Sequence, residues 1–183
     1  FLSYLQRLTG IDEILFSDPY LEGGGYHQIK KGGFLKTHID FAKHKNSSLD
    51  RRINLLLYLN KGWNDDWGGS LCLFDKANLK QPSKKISPVF NRCVIFSTSS
   101  FSYHGHPDPV ICPLETSRRS IALYYFSNGR PSVEVSAQSI DDPHQTFWVD
   151  GSGKKINQVS TARRVVSKLI PSIVKDLVKK VRK

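Results

Sequence analysis

The sequence predicts a mainly β domain, an all-β sandwich or jelly roll, followed by a basic helical tail. Three observations carry this. Short apolar runs recur from Tyr26 to Phe126, separated by clusters of Gly, Pro, Asn and Ser. No strand–helix alternation and no internal repeat interrupts them, which argues against a parallel α/β sheet. From Ser160 onward, Val166, Leu169, Ile170, Ile173, Leu177 and Val181 instead fall on one helical stripe with Lys and Arg opposite.

The first residues, Phe1 to Leu8, place apolar side chains at helical spacing and stop at Gly10, so a short amphipathic helix is expected. Gly23-Gly24-Gly25 breaks the chain before the strand Tyr26–Ile29. No Walker or G-x-G-x-x-G pattern accompanies these glycines, and they read as a turn. Lys31-Gly32-Gly33 reads as a hairpin-type turn that returns the chain through the strand Phe34–Asp40. After a polar loop, Arg52–Leu59 is apolar on both faces and predicts a central, buried strand. Ser70–Phe74, Asn91–Phe96 and Arg118–Phe126 complete the strands, with Trp63–Gly69, Lys76–Ser87 and the segment around His104 read as loops.

Composition narrows the function classes. The 183 residues suffice for one core with an add-on. No apolar run spans a bilayer, and the first residues lack the features of a signal peptide, so a cytoplasmic location is expected, with a true N-terminus missing before Phe1. Cys72, Cys93 and Cys112 have neither disulfide-framework nor zinc spacing and read as small core residues. The charge is uneven: Lys154–Lys183 holds ten basic residues against Asp176, so the tail carries +9 of the net +11. A nearly neutral core argues against a nucleic-acid enzyme, which would surround its mouth with basic charge.

Chemistry concentrates at His38-Ile39-Asp40. Residues two apart on a strand share a face, so both side chains can reach one metal ion. A third ligand from the segment Tyr103-His104-Gly105-His106 would complete a 2-His-1-carboxylate face with open positions for a cosubstrate and O2. Either histidine of that segment could chelate.

The runs Tyr58-Leu59-Asn60-Lys61-Gly62-Trp63, Gly68-Gly69-x-Leu71-x-Leu73-Phe74, Ile86-x-Pro88-x-Phe90-Asn91-Arg92 and Arg118-x-x-Ile121-Ala122-x-Tyr124-Tyr125-Phe126 follow that His-x-Asp in order. Together they resemble the prolyl 4-hydroxylase branch of the Fe(II)/2-oxoglutarate dioxygenases over roughly residues 26–130. The resemblance implies a double-stranded β-helix, the cupin-like jelly roll, with Fe(II), 2-oxoglutarate and O2 as cofactor and cosubstrates. It matches His38, Asp40 and His104 to the iron ligands, leaving His106 beside the metal or facing substrate. Arg118 matches the residue that pairs with the distal carboxylate of 2-oxoglutarate, and Tyr58 matches a tyrosine that shares it. Ser120, on the face of Arg118, could add a hydrogen bond, and Gln28 stands where relatives often place a tyrosine near the cosubstrate. His27, His44 and His144 have no partner at useful spacing.

The implied reaction is hydroxylation of an unactivated C–H bond with release of succinate and CO2, on a prolyl side chain in a peptide by analogy. A free amino acid, a sugar or another small metabolite is the alternative substrate, and a jelly-roll binding module without chemistry is the alternative function. The expected domains are a dioxygenase domain at 1–150 and a basic tail at 151–183 hinged at Gly151-Ser152-Gly153. Pro171 should kink or restart the tail helix. That helix either packs on the domain or lies on an anionic membrane surface, which would make the protein a peripheral membrane one.

Overall fold

The computed structural model describes residues 1–156. The helix expected from Ser160, with its packing or membrane role, lies outside the described residues. The elements run α1 (Leu2–Thr9), β1 (Leu15–Ser17), β2 (Gly25–Ile29), β3 (Leu35–Ile39), β4 (Asp50–Tyr58), β5 (Leu71–Phe74) and β6 (Lys84–Ile86). They continue with β7 (Cys93–Ser97), β8 (Tyr103–His106), β9 (Arg118–Ser127), α2 (Ala137–Asp141) and β10 (Phe147–Trp148).

The strands form two antiparallel sheets. One has the order β1-β9-β4-β7 with β2 also paired to β9, and the other the order β10-β3-β8-β5-β6. From β2 onward the chain crosses back and forth between them: β2, β4, β7 and β9 belong to the first, and β3, β5, β6 and β8 to the second. That alternation is the winding of a double-stranded β-helix, and it corrects one expectation. Lys31-Gly32-Gly33 does not close a hairpin, because β2 pairs with β9 whereas β3 pairs with β8 and β10. The turn carries the chain between sheets, and Gly32 and Gly33 are tied to Val110 through the bonds Gly32 N–H to Val110 carbonyl and Val110 N–H to Gly33 carbonyl.

Two apolar layers explain why β4 is apolar on both faces. Toward the second sheet, Leu56 and Tyr58 pack with Leu71, Val94 and Phe96. On the opposite face, Ile53 and Leu55 pack with Leu5, Ile11, Leu15 and Tyr125 beneath α1. The helix therefore covers a sheet face that would otherwise meet water, and burying such side chains stabilises by about 1.5–3 kcal/mol each. Gly10 ends α1 in the left-handed region (φ 69°), with its N–H on the Gln6 carbonyl. Among the cysteines, Cys72 and Cys112 are buried but Cys93 is exposed, since it begins β7 at the sheet edge.

Two bulges aim the site. β3 holds one more residue than β8 between the pairs Leu35–His106 and His38–His104. β4 holds one more than β9 between Arg51–Phe126 and Ile53–Tyr125. An extra residue reverses the alternation, so Leu35 and His38, three apart, face the same interior, as do Arg51 and Asn54. The His104 segment, expected as a loop, is strand β8. Its Gly and His content hides it from propensity, and pairing on both sides with β3 and β5 makes it.

Gly105 packs against backbone in a way no other residue could. A Cβ there would lie 2.8 Å from the carbonyl oxygens of Leu35 and Lys36. Backbone in a paired strand cannot step aside, so Gly105→Ala should destabilise the fold by about 1–3 kcal/mol. A urea denaturation midpoint equal to that of the unsubstituted protein would contradict this close approach.

Candidate metal centre and cosubstrate pocket

His38 and His104 face each other across the β3–β8 pair, their ring centroids 4.3 Å apart. Each ring is pinned through Nδ1, which donates to a backbone carbonyl: Lys36 at 2.8 Å for His38 and Ser102 at 2.9 Å for His104. With Nδ1 carrying the proton, each Nε2 presents a lone pair. Those two nitrogens point at Asp40, His38 Nε2 lying 3.5 Å from Oδ1 and His104 Nε2 3.2 Å from Oδ2. One ligand atom from each of the three residues lies within 4.8 Å of the others. His38 is further walled by Trp148, at 4.6 Å between ring centroids, and His104 by Phe96, edge-on at 5.0 Å.

Asp40 is held ionised. Burial works to raise its carboxyl, but the Arg51 guanidinium, with the two imidazoles, outweighs burial and keeps it well below the usual carboxylate range. Arg51 lies 3.2 Å from Oδ2, and the Asn54 amide donates to the same oxygen at 2.8 Å. Arg51 is fixed in turn by two hydrogen bonds to the Asn54 side-chain oxygen and by the rings of Tyr124 (3.5 Å) and Phe41 (4.5 Å). Burial, with its neighbour His104, holds the His38 imidazole below its ordinary value and thus neutral. Two imidazoles and an ionised carboxylate are the donor set that an Fe(II) centre with open positions requires. The residues fit the metal.

The triad opens into a cavity of about 90 Å³ lined by His38, Asp40, His104, His106, Arg118 and Ser120. Arg118 is 5% exposed. Its Nε donates to the Gly69 carbonyl at 2.6 Å and one Nη to the Tyr58 hydroxyl at 3.2 Å, while the ring of the fully buried Tyr58 lies beneath it. Among the described residues no carboxylate lies within ion-pair distance of Arg118, unlike Arg51 or Arg52. A buried guanidinium without an anion is costly, so this end of the cavity selects for a carboxylate. Arg119, the next residue along β9, is exposed and donates to Ser117.

His106 is not part of the ligand cluster. It shares the face of His104, and burial, with Arg118 and His38 nearby, pushes its imidazole down to about 3. Gln28 does not reach the pocket. β2 alternates, Gln28 points outward and donates to Ser117, and it is His27 and Ile29 that line the cavity. The register of β2 on β9, invisible in the sequence, decides which of the two faces inward. His44 is buried against Asp18 and Glu22, and His144 is exposed. Arg51, Asn54 and Trp148 were not identifiable from sequence. An arginine placed 11 residues after Asp40 carries no local signal, and Trp148 arrives from β10. Next to Asp40 a narrow gap lined by Ser100, Arg130 and Ser139 adjoins a second cavity of about 360 Å³, which shares those residues and adds Lys43 and Asp50.

This fold and donor set are those of a non-haem iron site, and the chain belongs to the 2OG-Fe(II) oxygenase superfamily, whose family model matches residues 24–126. That family's description couples 2-oxoglutarate to Fe(II), the metal that the donor set of His38, Asp40 and His104 fits. It is 33% identical over 106 residues to a Mus musculus protein described as prolyl 3-hydroxylase OGFOD1, a match covering 55% of this chain and 19% of the mouse protein. Among solved structures it resembles a Pseudomonas putida prolyl-4-hydroxylase (21% identity, 57% of this chain and 50% of that one, TM-score 0.38). It also resembles a Trichoplax adhaerens prolyl hydroxylase in complex with a hypoxia inducible factor peptide fragment (22%, 68% and 52%, TM-score 0.46). The chain thus spans about a fifth of the mouse relative and about half of these two solved chains.

Removing Arg51 leaves Asp40 buried without its cation, so Arg51→Met should cost about 3–5 kcal/mol at neutral pH. The sign of the pH dependence follows from the lowered carboxyl. Stability from this pair is complete above the unfolded carboxyl value near 4 and is lost as pH falls through the lower folded value. Denaturation of the metal-free proteins should therefore show the deficit of Arg51→Met narrowing below about pH 4. A deficit constant with pH would remove Asp40 from the account.

Proposed function

We propose that this chain hydroxylates a prolyl side chain within a peptide and releases succinate and CO2, with Fe(II) held by His38, Asp40 and His104. The observation that carries the reading is one cavity shared by a two-histidine, one-carboxylate cluster and a buried arginine that lacks a carboxylate partner. Bound iron, with 2-oxoglutarate and O2, supplies the oxidation of the C–H bond. The protein's part is positioning. The Nδ1 hydrogen bonds aim both histidines, Arg51 and Asn54 orient Asp40 and keep it ionised, and Trp148 and Phe96 keep water from the rings. Arg118 and the Tyr58 hydroxyl grip the distal carboxylate of 2-oxoglutarate, the planar guanidinium adding direction to charge. The mouse prolyl 3-hydroxylase relative supports the choice of substrate, and the second cavity, reached from Asp40 through the narrow gap at Ser100, Arg130 and Ser139, gives a peptide room near the site.

The deciding experiment is a succinate-release assay over proline-containing peptides, free amino acids and sugars, with mass spectrometry for the added oxygen. Turnover with a peptide whose proline gains one oxygen is the expected result, and turnover confined to a free amino acid or a sugar would replace the peptide reading. His104→Ala should abolish Fe(II) binding and turnover, whereas His106→Ala should retain the metal; the reverse ranking would reassign the third ligand. Arg118→Ala should raise the 2-oxoglutarate requirement by more than about tenfold, since losing one partner of a buried charge pair costs roughly 2–5 kcal/mol. An unchanged requirement would place the cosubstrate elsewhere.

A further inference from the structure

The cavity has an axis that can be read along β4. Asn54, Leu56 and Tyr58 face inward in turn, with Asn54 bonded to Asp40 at one end and Tyr58 bonded to Arg118 at the other. On the opposite sheet, His38 and His104 stand level with each other near the Asp40 end. His106 follows His104 on the same face, about 7 Å further along at the usual strand rise. It therefore lies between the metal ligands and the arginine. His106 is 3% exposed, and both ring nitrogens are buried with no hydrogen-bond partner among the described residues. Buried polar atoms are almost always paired, and an unpaired one marks a missing partner. Here the missing partner is not the metal, because His106 falls outside the cluster of ligand atoms.

We propose that His106 is a cosubstrate-binding residue that donates a ring N–H to the distal carboxylate of 2-oxoglutarate, beside Arg118 and Tyr58. The proposal rests on the dioxygenase reading of the site. A five-carbon dicarboxylate that begins at the iron ligands and ends at Arg118 must pass His106, whose two ring nitrogens have no partner among the described residues. The Arg118 Nε and one Nη are already committed to Gly69 and Tyr58, so the guanidinium alone cannot serve every lone pair of a carboxylate. The His106 ring, buried beside Arg118 with both nitrogens unpartnered, supplies the further donor.

The test combines binding and stability. Calorimetric titration of 2-oxoglutarate into the anaerobic Fe(II) protein is run for the unsubstituted chain and for His106→Leu, His106→Gln and Arg118→Ala. The free proteins are melted in parallel. His106→Leu should weaken 2-oxoglutarate by about tenfold or more, the usual loss for a hydrogen bond to a charged group, yet raise the melting temperature of the ligand-free protein by removing two orphan nitrogens. His106→Gln, which keeps an N–H donor, should recover part of the affinity. Fe(II) affinity should be unchanged, and pyruvate, which lacks the distal carboxylate, should bind the unsubstituted chain and His106→Leu equally. Unaltered 2-oxoglutarate affinity in His106→Leu, or an equal loss for pyruvate, overturns the proposal while the Arg118→Ala control leaves the dioxygenase reading standing. Absence of 2-oxoglutarate binding by the unsubstituted chain overturns both.

Discussion

The pairing of His38 with His104 across β3 and β8 is the constraint on which the rest of the site depends. Two rings 4.3 Å apart can aim their Nε2 atoms at one point only if the strands keep this register. The register is enforced locally, by the extra residue in β3 and by a glycine at 105 that lets two backbones approach more closely than a side chain would permit. Nδ1 bonds to Lys36 and Ser102 then convert strand geometry into ring orientation and proton position. No flexible loop intervenes between the sheet and the donor atoms. A site built this way is preorganised at the expense of adaptability.

Two arginines of the same pocket show how a partner, rather than a residue type, sets a role. Arg51 and Arg118 are both buried, and both lie close to an aromatic ring. Arg51 has its carboxylate, so its charge is spent inside the protein, orienting a metal ligand. Arg118 has only a carbonyl and a hydroxyl, so its charge remains directed at whatever enters. The cavity is thereby electrically polarised, with a closed ion pair at one end and an open cation at the other. That asymmetry gives an elongated dianion a direction of entry before any metal contact forms.

Much of this was legible in the chain because the signals are local. Period-two spacing puts His38 and Asp40 on one face, and the doubly apolar run of β4 announces a strand buried on both sides. What could not be read depends on pairing between distant segments. The sheet change at Gly32-Gly33 looks like a hairpin until β2 is seen to pair with β9. His27 and Gln28 exchange places as pocket and surface residues according to one register. Cys93 looks like a core residue by type but starts a strand at an exposed edge. Arg51 enters the interior only because a bulge reverses the alternation between Arg51 and Ile53, a feature with no compositional mark. β8 itself, four residues containing a glycine and two histidines, is a strand by virtue of its neighbours rather than its own preferences.

Trp148 carries a consequence for how such a protein is divided. The family resemblance ends at Phe126, yet the indole that covers His38 comes from β10, more than twenty residues later, at the edge of the second sheet. The intervening chain anchors that strand, through Ser139 on Ser100 and His144 on the Lys43 carbonyl. A fragment cut where similarity stops would keep every ligand and still expose one imidazole of the centre to bulk solvent. Shared ancestry and the working unit have different borders in this chain, and an expression design drawn from the first would discard a wall of the second.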